Sequence, residues 1–186
     1  MKSRPPLILA SLSPRRRQLL RRLKIPFRVI PSHASEESNV KNPRKLVMEL
    51  ALRKASSVAK ELDRGLVLGA DTIVVLGGRI LGKPGNTQDA YRMLYRLSGS
   101  THSVYTGIAL VDAATGRSKS AVAASAVRMK KLPIDRLLAL SRNHLDKAGA
   151  YAIQEKKDPI ARVIRGSYDN VVGLPVSLVK KLLKQF

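Results

Sequence analysis

The chain alternates short, almost wholly apolar runs with longer stretches of helical period, the pattern of strands interleaved with amphipathic helices. Leu7-Ile-Leu-Ala10 is a run fit for a buried strand, and Phe27 to Pro31 is a second. Between them, Ser13-Pro14 places an N-cap ahead of proline at the first helical position, and Leu19, Leu20 and Leu23 give that helix its core face. A polar loop from His33 to Asn42 follows. Asn42-Pro43 then opens a second helix, in which Val47, Leu50, Ala51, Ala55, Val58 and Leu62 recur at helical spacing.

Leu66 to Leu76 reads as a buried strand interrupted by Asp71-Thr72, and Gly77-Gly78 turns it into a hairpin with Arg79 to Leu81. After the turn at Gly82-Lys-Pro-Gly85, Asn86 or Thr87 caps a third helix that stops at Leu97-Ser-Gly99. Two long strands, Ser103 to Val111 and about Lys119 to Met129, meet at the Asp112 to Gly116 turn. A helix is expected at Ile134 to Asn143, strands at Gly149 to Ile153 and Ala161 to Ile164, and a closing helix at Pro175 to Lys184. Strands and helices intermix, some in hairpins, which defines an α/β class with a mixed sheet. No internal repeat interrupts this order, so residues 1–186 read as one domain.

Composition changes the picture in one respect. Thirty-five Lys and Arg against thirteen Asp and Glu leave a net charge of +22. Such a field attracts polyanions, with nucleic acid and phosphorylated small molecules as the two candidate classes. Aromatic residues make up only 4% of the chain and Trp is absent, which argues against a binder that stacks single-stranded bases. No acidic residue precedes Glu36, whereas nine Lys or Arg do, yet the excess continues along the chain and forms no separable tail. Cysteine is absent, which excludes disulfides and thiolate metal sites. No apolar run approaches a membrane span or a signal-peptide core, so a cytoplasmic location is the expectation.

Four groups of residues could carry chemistry. In Ser11-Leu-Ser-Pro-Arg-Arg-Arg17 a strand leads through a serine turn into a helix N-terminus, where free N–H groups favour an anion. Ser11 and Ser13 add hydroxyls, and Arg15 and Arg16 add forks suited to phosphate. The glycines and Gly-Lys-Ser/Thr ending of a P-loop are missing. A plain capped helix with a solvated basic face is the other reading, although three arginines there oppose the helix dipole. Asp71 lies in the most apolar strand, where a carboxylate must meet a cation, donors or a metal. It is either a structural Asp at a strand bend or a metal ligand or general base.

Lys54 falls four residues from both Leu50 and Val58, mid-stripe on the second helix. It either snorkels to the surface or supplies an ammonium to a phosphate beside Asp71. Lys83, in the turn after the hairpin, is a candidate second ammonium. Glu36-Glu37 is the acidic pair of the basic front third, either a solvated loop or carboxylates for a hard divalent cation. His33, His102 and His144 show no metal-ligand spacing.

These residues fall in blocks that run in one order along nearly the whole chain. They are Leu7-Ile-Leu-Ala-Ser-Leu-Ser-Pro-Arg-Arg16, Gly69-Ala-Asp-Thr72, Gly82-Lys-Pro84, Leu97-Ser-Gly99, Lys147-Ala-Gly-Ala-Tyr151 running to Gln154, Gly166-Ser-Tyr168 and Val172-Gly-Leu-Pro175. On these motifs the chain resembles the Maf family of nucleoside triphosphate pyrophosphatases. The resemblance implies an elongated mixed sheet with flanking helices, in two lobes around a central cleft, similar to the inosine triphosphate pyrophosphatases. It implies hydrolysis of a nucleotide's α–β anhydride with a divalent metal, Mg or Mn, as cofactor. By the same resemblance Asp71 is the general base and a metal contact, and Glu37 helps to hold the metal. Lys54, Lys83 and Arg16 bind the triphosphate, while Arg15, Thr72 and Gln154 occupy positions that set base preference.

Ala70-Asp71-Thr72 resembles the branch acting on dTTP, UTP and modified pyrimidines, whereas Ser-Asp-Gln marks a branch preferring 7-methyl-GTP. Where many relatives carry glycine on either side of the Ile-Gln pair, this chain has Ala152 and Glu155. The expected partner is a nucleoside triphosphate, a homodimer is allowed for, and no membrane is involved. Besides a Maf-type pyrophosphatase with purine or 7-methyl-GTP preference, the alternative function is a basic nucleic-acid-binding protein, which predicts steeply salt-dependent binding. It gives no role to a carboxylate in an apolar strand, and nucleic-acid binding beside an enzymatic role would be incidental.

Overall fold

A computed structural model of the chain describes residues 5–153 and 159–186. The strands are β1 (Leu7–Leu9), β2 (Phe27–Val29), β3 (Leu66–Leu76), β4 (Arg79–Leu81), β5 (Thr101–Asp112), β6 (Ser118–Met129) and β7 (Ala161–Arg165). The helices are α1 (Pro14–Arg21), α2 (Pro43–Ala59), α3 (Thr87–Leu97), α4 (Ile134–Ser141), α5 (Tyr168–Val172) and α6 (Val176–Leu183). The seven strands form one sheet in the order β2-β1-β3-β5-β6-β7, with β4 hydrogen-bonded to β3 off that path. β1 runs parallel to β2 and β3, whereas β4 is antiparallel to β3 and β7 to β6. The mixed α/β class expected from the alternation of apolar runs is the observed one.

The chain divides into two compact units. Unit 1 comprises the described part of Met1–Asp71 with Thr106–Ala123 and Gly173–Phe186. Its core gathers Ile8, Ala10, Ala51, Ala55, Val58, Val67, Ala109 and Val111. Both of its early helices begin as the capping residues dictate. The Ser13 hydroxyl accepts from the Arg16 N–H at 3.4 Å, and Asn42 Oδ1 accepts from Arg44 and Lys45 N–H, each at 3.1 Å. Proline occupies the first turn of each helix, where its missing N–H costs nothing. α1 ends at Arg21, short of the Leu23 expected, because the N–H groups of Arg22, Leu23 and Lys24 bond carbonyls three residues back, and Lys24 then turns left-handed at φ 54°.

Unit 2 comprises Thr72–Tyr105 and Ala124–Val172. Leu94, Leu97, Val104, Val127, Met129 and Ile160 are among its fully buried side chains. Gly77 and Gly78, at φ 53° and 78°, make the β3–β4 hairpin turn, a conformation with positive φ at both central positions that glycine alone adopts freely. α3 is capped by Asn86, whose side chain accepts from the Asp89 N–H at 2.9 Å.

One expected element is not there. Gly149 to Ile153 forms no strand; Ala148–Ala150 is a 3-10 turn instead. Gly149 and Ala150 sit at φ 71° and 58°, values no strand accommodates, and the Gly149 N–H is taken by the Gly82 carbonyl at 3.0 Å. Conversely α5, too short to show a helical period, was not among the expected elements.

Candidate active site

Asp71 lies in the middle of β3; residues 66–71 are all buried, as are Ile73 and Val74 beyond it, and Asp71 itself is 7% exposed. A lone carboxylate there would cost several kcal/mol, so the surroundings must supply a cation or donors. α2 supplies one. Its apolar stripe carries Lys54, 9% exposed, among Leu50, Ala51, Ala55 and Val58. Two glycines explain why this helix lies close enough. A methyl at Gly69 of β3 would collide with the Ala51 carbonyl oxygen, and one at Gly107 of β5 would collide with the Val47 carbonyl oxygen. Without side chains at these two positions the helix backbone rests directly on the strands. Lys54 is thereby delivered to Asp71, with Nζ 2.6 Å from Oδ1.

The same ammonium donates to Glu36 Oε1, also at 2.6 Å. Glu36 reaches it from a loop built of short serine turns. The hydroxyls of Ser32, Ser35 and Ser38 accept from the N–H groups of Ala34, Glu37 and Val40 at 3.1 to 3.2 Å. Arg53, next to Lys54 on α2, clasps this loop from the helix side. Its Nη1 donates to the carbonyls of Ser35 at 3.0 Å and Glu37 at 2.6 Å, and its Nη2 to Glu49 at 2.5 Å. Adjacent residues of one helix therefore hold the loop backbone and its acid. Of the two glutamates, Glu36 presents its carboxylate to the cluster. Glu37 is exposed and is held there through its backbone.

The serine turn before α1 belongs to the same unit. Ser11 is buried, and its hydroxyl accepts from the Ser13 N–H at 3.2 Å and lies 3.5 Å from Arg16 Nη1. Arg16 Nε donates to the carbonyl of Gly173 at 2.9 Å. Burial pulls the Arg16 guanidinium below its ordinary pKa; the field of Asp71 opposes this, Arg15 adds to it, and Glu36 opposes it. Two carboxylates, an ammonium and a guanidinium thus form one electrostatic group. Ser11, Ser13 and Arg16 meet at the start of α1, Lys54 meets Asp71, and Arg16 feels the field of Asp71.

Arg15 is half-buried on the first turn of α1. Thr72, half-buried, and Lys83, exposed after β4, belong to unit 2. Gln154 lies outside the described residues. Local spacing offered no signal for the Gly173 carbonyl, 157 residues from Arg16, or for the clasp made by Arg53.

The donor set suits a hard divalent cation. Glu36 Oε1 and Asp71 Oδ1 bond one ammonium and so lie within about 5 Å of each other. Among the described residues no three His, Cys, Asp or Glu gather into a cage. Two carboxylates with the remaining positions left to water and phosphate oxygens match the way Mg²⁺ is usually bound. A buried acid beside a lysine and an arginine has chemistry that a hydrolase acting on an anion could use: cations for the ligand's charge and a carboxylate able to take a proton from water.

Sequence comparison agrees with that class. A family model described as Maf-like protein matches residues 6–186, and the chain belongs to this family. It is similar, at 49% identity over 181 residues covering 96% of this chain and 88% of the relative, to the dTTP/UTP pyrophosphatase of Syntrophus aciditrophicus. The enzymes of that name from Moorella thermoacetica and Thermococcus kodakarensis are 48% and 45% identical, across 97% and 95% of this chain and 94% of each relative.

Proposed function

We propose that this protein is a nucleoside triphosphate pyrophosphatase that hydrolyses dTTP and UTP, and modified pyrimidine nucleotides, to the monophosphate and pyrophosphate. The observation that carries the reading is the buried Asp71 carboxylate held 2.6 Å from the Lys54 ammonium, in one electrostatic group with Arg16. The names and coverage of the relatives support the substrate, and Ala70-Asp71-Thr72 supports the pyrimidine branch.

In this reading Asp71 accepts a proton from the attacking water, whose oxygen bonds the α-phosphorus as the bridging oxygen departs with pyrophosphate. Lys54 and Arg16 receive the charge that builds on the phosphate oxygens, with Lys83 as a further ammonium. Ser11 and Ser13 donate hydroxyls to the phosphates, while the resemblance gives Arg15, Thr72 and Gln154 the role of setting base preference. A divalent cation, Mg or Mn, would be held by Asp71 and one acid of the Glu36–Glu37 pair, and would neutralise triphosphate charge. The resemblance favours Glu37, whereas the carboxylate geometry favours Glu36. We expect the reaction to take place in the cytoplasm.

Pyrophosphate release from dTTP, UTP and 7-methyl-GTP tests the assignment. Asp71→Asn should lower kcat by roughly 10²–10⁴-fold, the usual worth of a general base. Near-normal turnover of dTTP by that variant would sink the role of Asp71, and preference for 7-methyl-GTP would sink the pyrimidine reading.

A further inference from the structure

A cavity of about 550 Å³ opens in unit 2, away in sequence from every residue of the Lys54–Asp71 group. Four of its lining residues are cations, Arg128, Lys130, Lys131 and Arg162, and among the described residues that line it none is acidic. They come from β6, from the segment that follows it, and from β7, the last strand in the sheet order. Arg128 and Arg162 are direct partners in the antiparallel β6–β7 register, and both are exposed. Like charges directly opposite on paired strands repel and destabilise the pairing. The next register pair, Met129 and Ala161, is buried, so the sheet holds the two arginines on the same outward face. An anion bridging the two forks removes the repulsion, and guanidinium geometry suits phosphate. A volume of this size is that of a small-molecule site.

We propose that this cavity is a second anion site, which binds a small molecule carrying a phosphate chain between Arg128 and Arg162, with Lys131 beside them. The proposal does not rest on the pyrophosphatase reading. Its test is a ¹⁵N-resolved NMR titration of the full chain with inorganic triphosphate, at low salt and without divalent metal. The amides of Gly99, Lys131 and Arg162 should shift saturably. The Arg128→Gln/Arg162→Gln double variant should weaken binding at those amides by at least about tenfold, the loss of two charge-assisted partners, while dTTP hydrolysis stays unchanged. Arg162→Gln alone, on an exposed terminal strand, gives the same comparison should the double variant not fold. No saturable shift at those amides, or an unchanged affinity in the variants, overturns the site. A response there to a thymidine 20-mer with none to triphosphate would make it a nucleic-acid surface and overturn the small-ligand reading.

Discussion

The two units bury polar groups in opposite ways. Unit 1 buries charges: the Lys54 ammonium and the Asp71 carboxylate, joined by the half-exposed Glu36 and by Arg16. Unit 2 buries neutral groups. His102 Nε2 lies 2.6 Å from the Tyr151 hydroxyl, and Asn170 Nδ2 donates to the Val104 carbonyl at 3.1 Å and to Ser125 Oγ at 2.8 Å. Burial alone pushes the His102 imidazole down to about 4 and the Tyr151 phenol up, so both are uncharged at neutral pH. Neutral hydrogen-bonded groups satisfy a core at modest cost, whereas paired ions repay their desolvation only with good geometry. In the function proposed above, the ions kept inside unit 1 serve a charged ligand, whereas the neutral pairs buried in unit 2 serve its own packing.

Breaking the ion pair should have the largest effect. Lys54→Met leaves Asp71 buried without its cation and should cost about 3–5 kcal/mol in urea unfolding, together with activity. Lys54→Met combined with Asp71→Leu should recover much of that stability and none of the activity. Full recovery of turnover in the double variant would contradict the ligand-centred view of unit 1.

In unit 2 the corresponding prediction concerns pH. In the unfolded chain His102 titrates near its ordinary 6.5, and in the folded chain near 4. As pH falls below 6.5 the unfolded state takes up a proton that the folded state refuses. The stability contributed by the neutral imidazole is therefore whole above 6.5 and is lost progressively down to about 4. The full span is worth about 3 kcal/mol. Urea unfolding between these limits should show that slope in the wild type, and His102→Gln should reduce it; an unaltered slope would place its origin elsewhere.

The smallest change on stability should come from Arg53→Ala. Its ion pair with Glu49 is about a third exposed on each side and should contribute less than ~1 kcal/mol. Its effect should appear instead in catalysis, because Arg53 holds the loop that presents Glu36. A rise in the metal concentration needed for half-maximal rate, with unfolding nearly unchanged, is the expected signature. Equal losses in stability and rate would mark Arg53 as merely structural.

Much of this was legible along the chain because the relevant physics is local. The β3 limits, the Gly77-Gly78 hairpin, the Asn42-Pro43 and Asn86 starts and the mid-stripe position of Lys54 all follow from period, capping or turn chemistry. Gly149 to Ile153 misled because its small and apolar residues fit a strand pattern, while its backbone is set by left-handed residues and by a bond to Gly82. Local pattern does not separate Glu36 from Glu37 and the resemblance names Glu37; in the structure it is Glu36 that bonds Lys54, from a loop set by serine turns and the Arg53 clasp.

By itself, then, the sequence determined which residues are chemically capable: the Ser11 to Arg16 turn, Lys54, Asp71 and an acidic pair, each in an element whose period or cap is written in its neighbours. Only the tertiary structure decided which of them meet. The approach of α2 onto Gly69 and Gly107, the bond from Arg16 to Gly173, and the facing of Arg128 by Arg162 join residues far apart in the chain. Such meetings depend on backbone proximity and strand register, which arise from packing the whole chain rather than from any local run of residues.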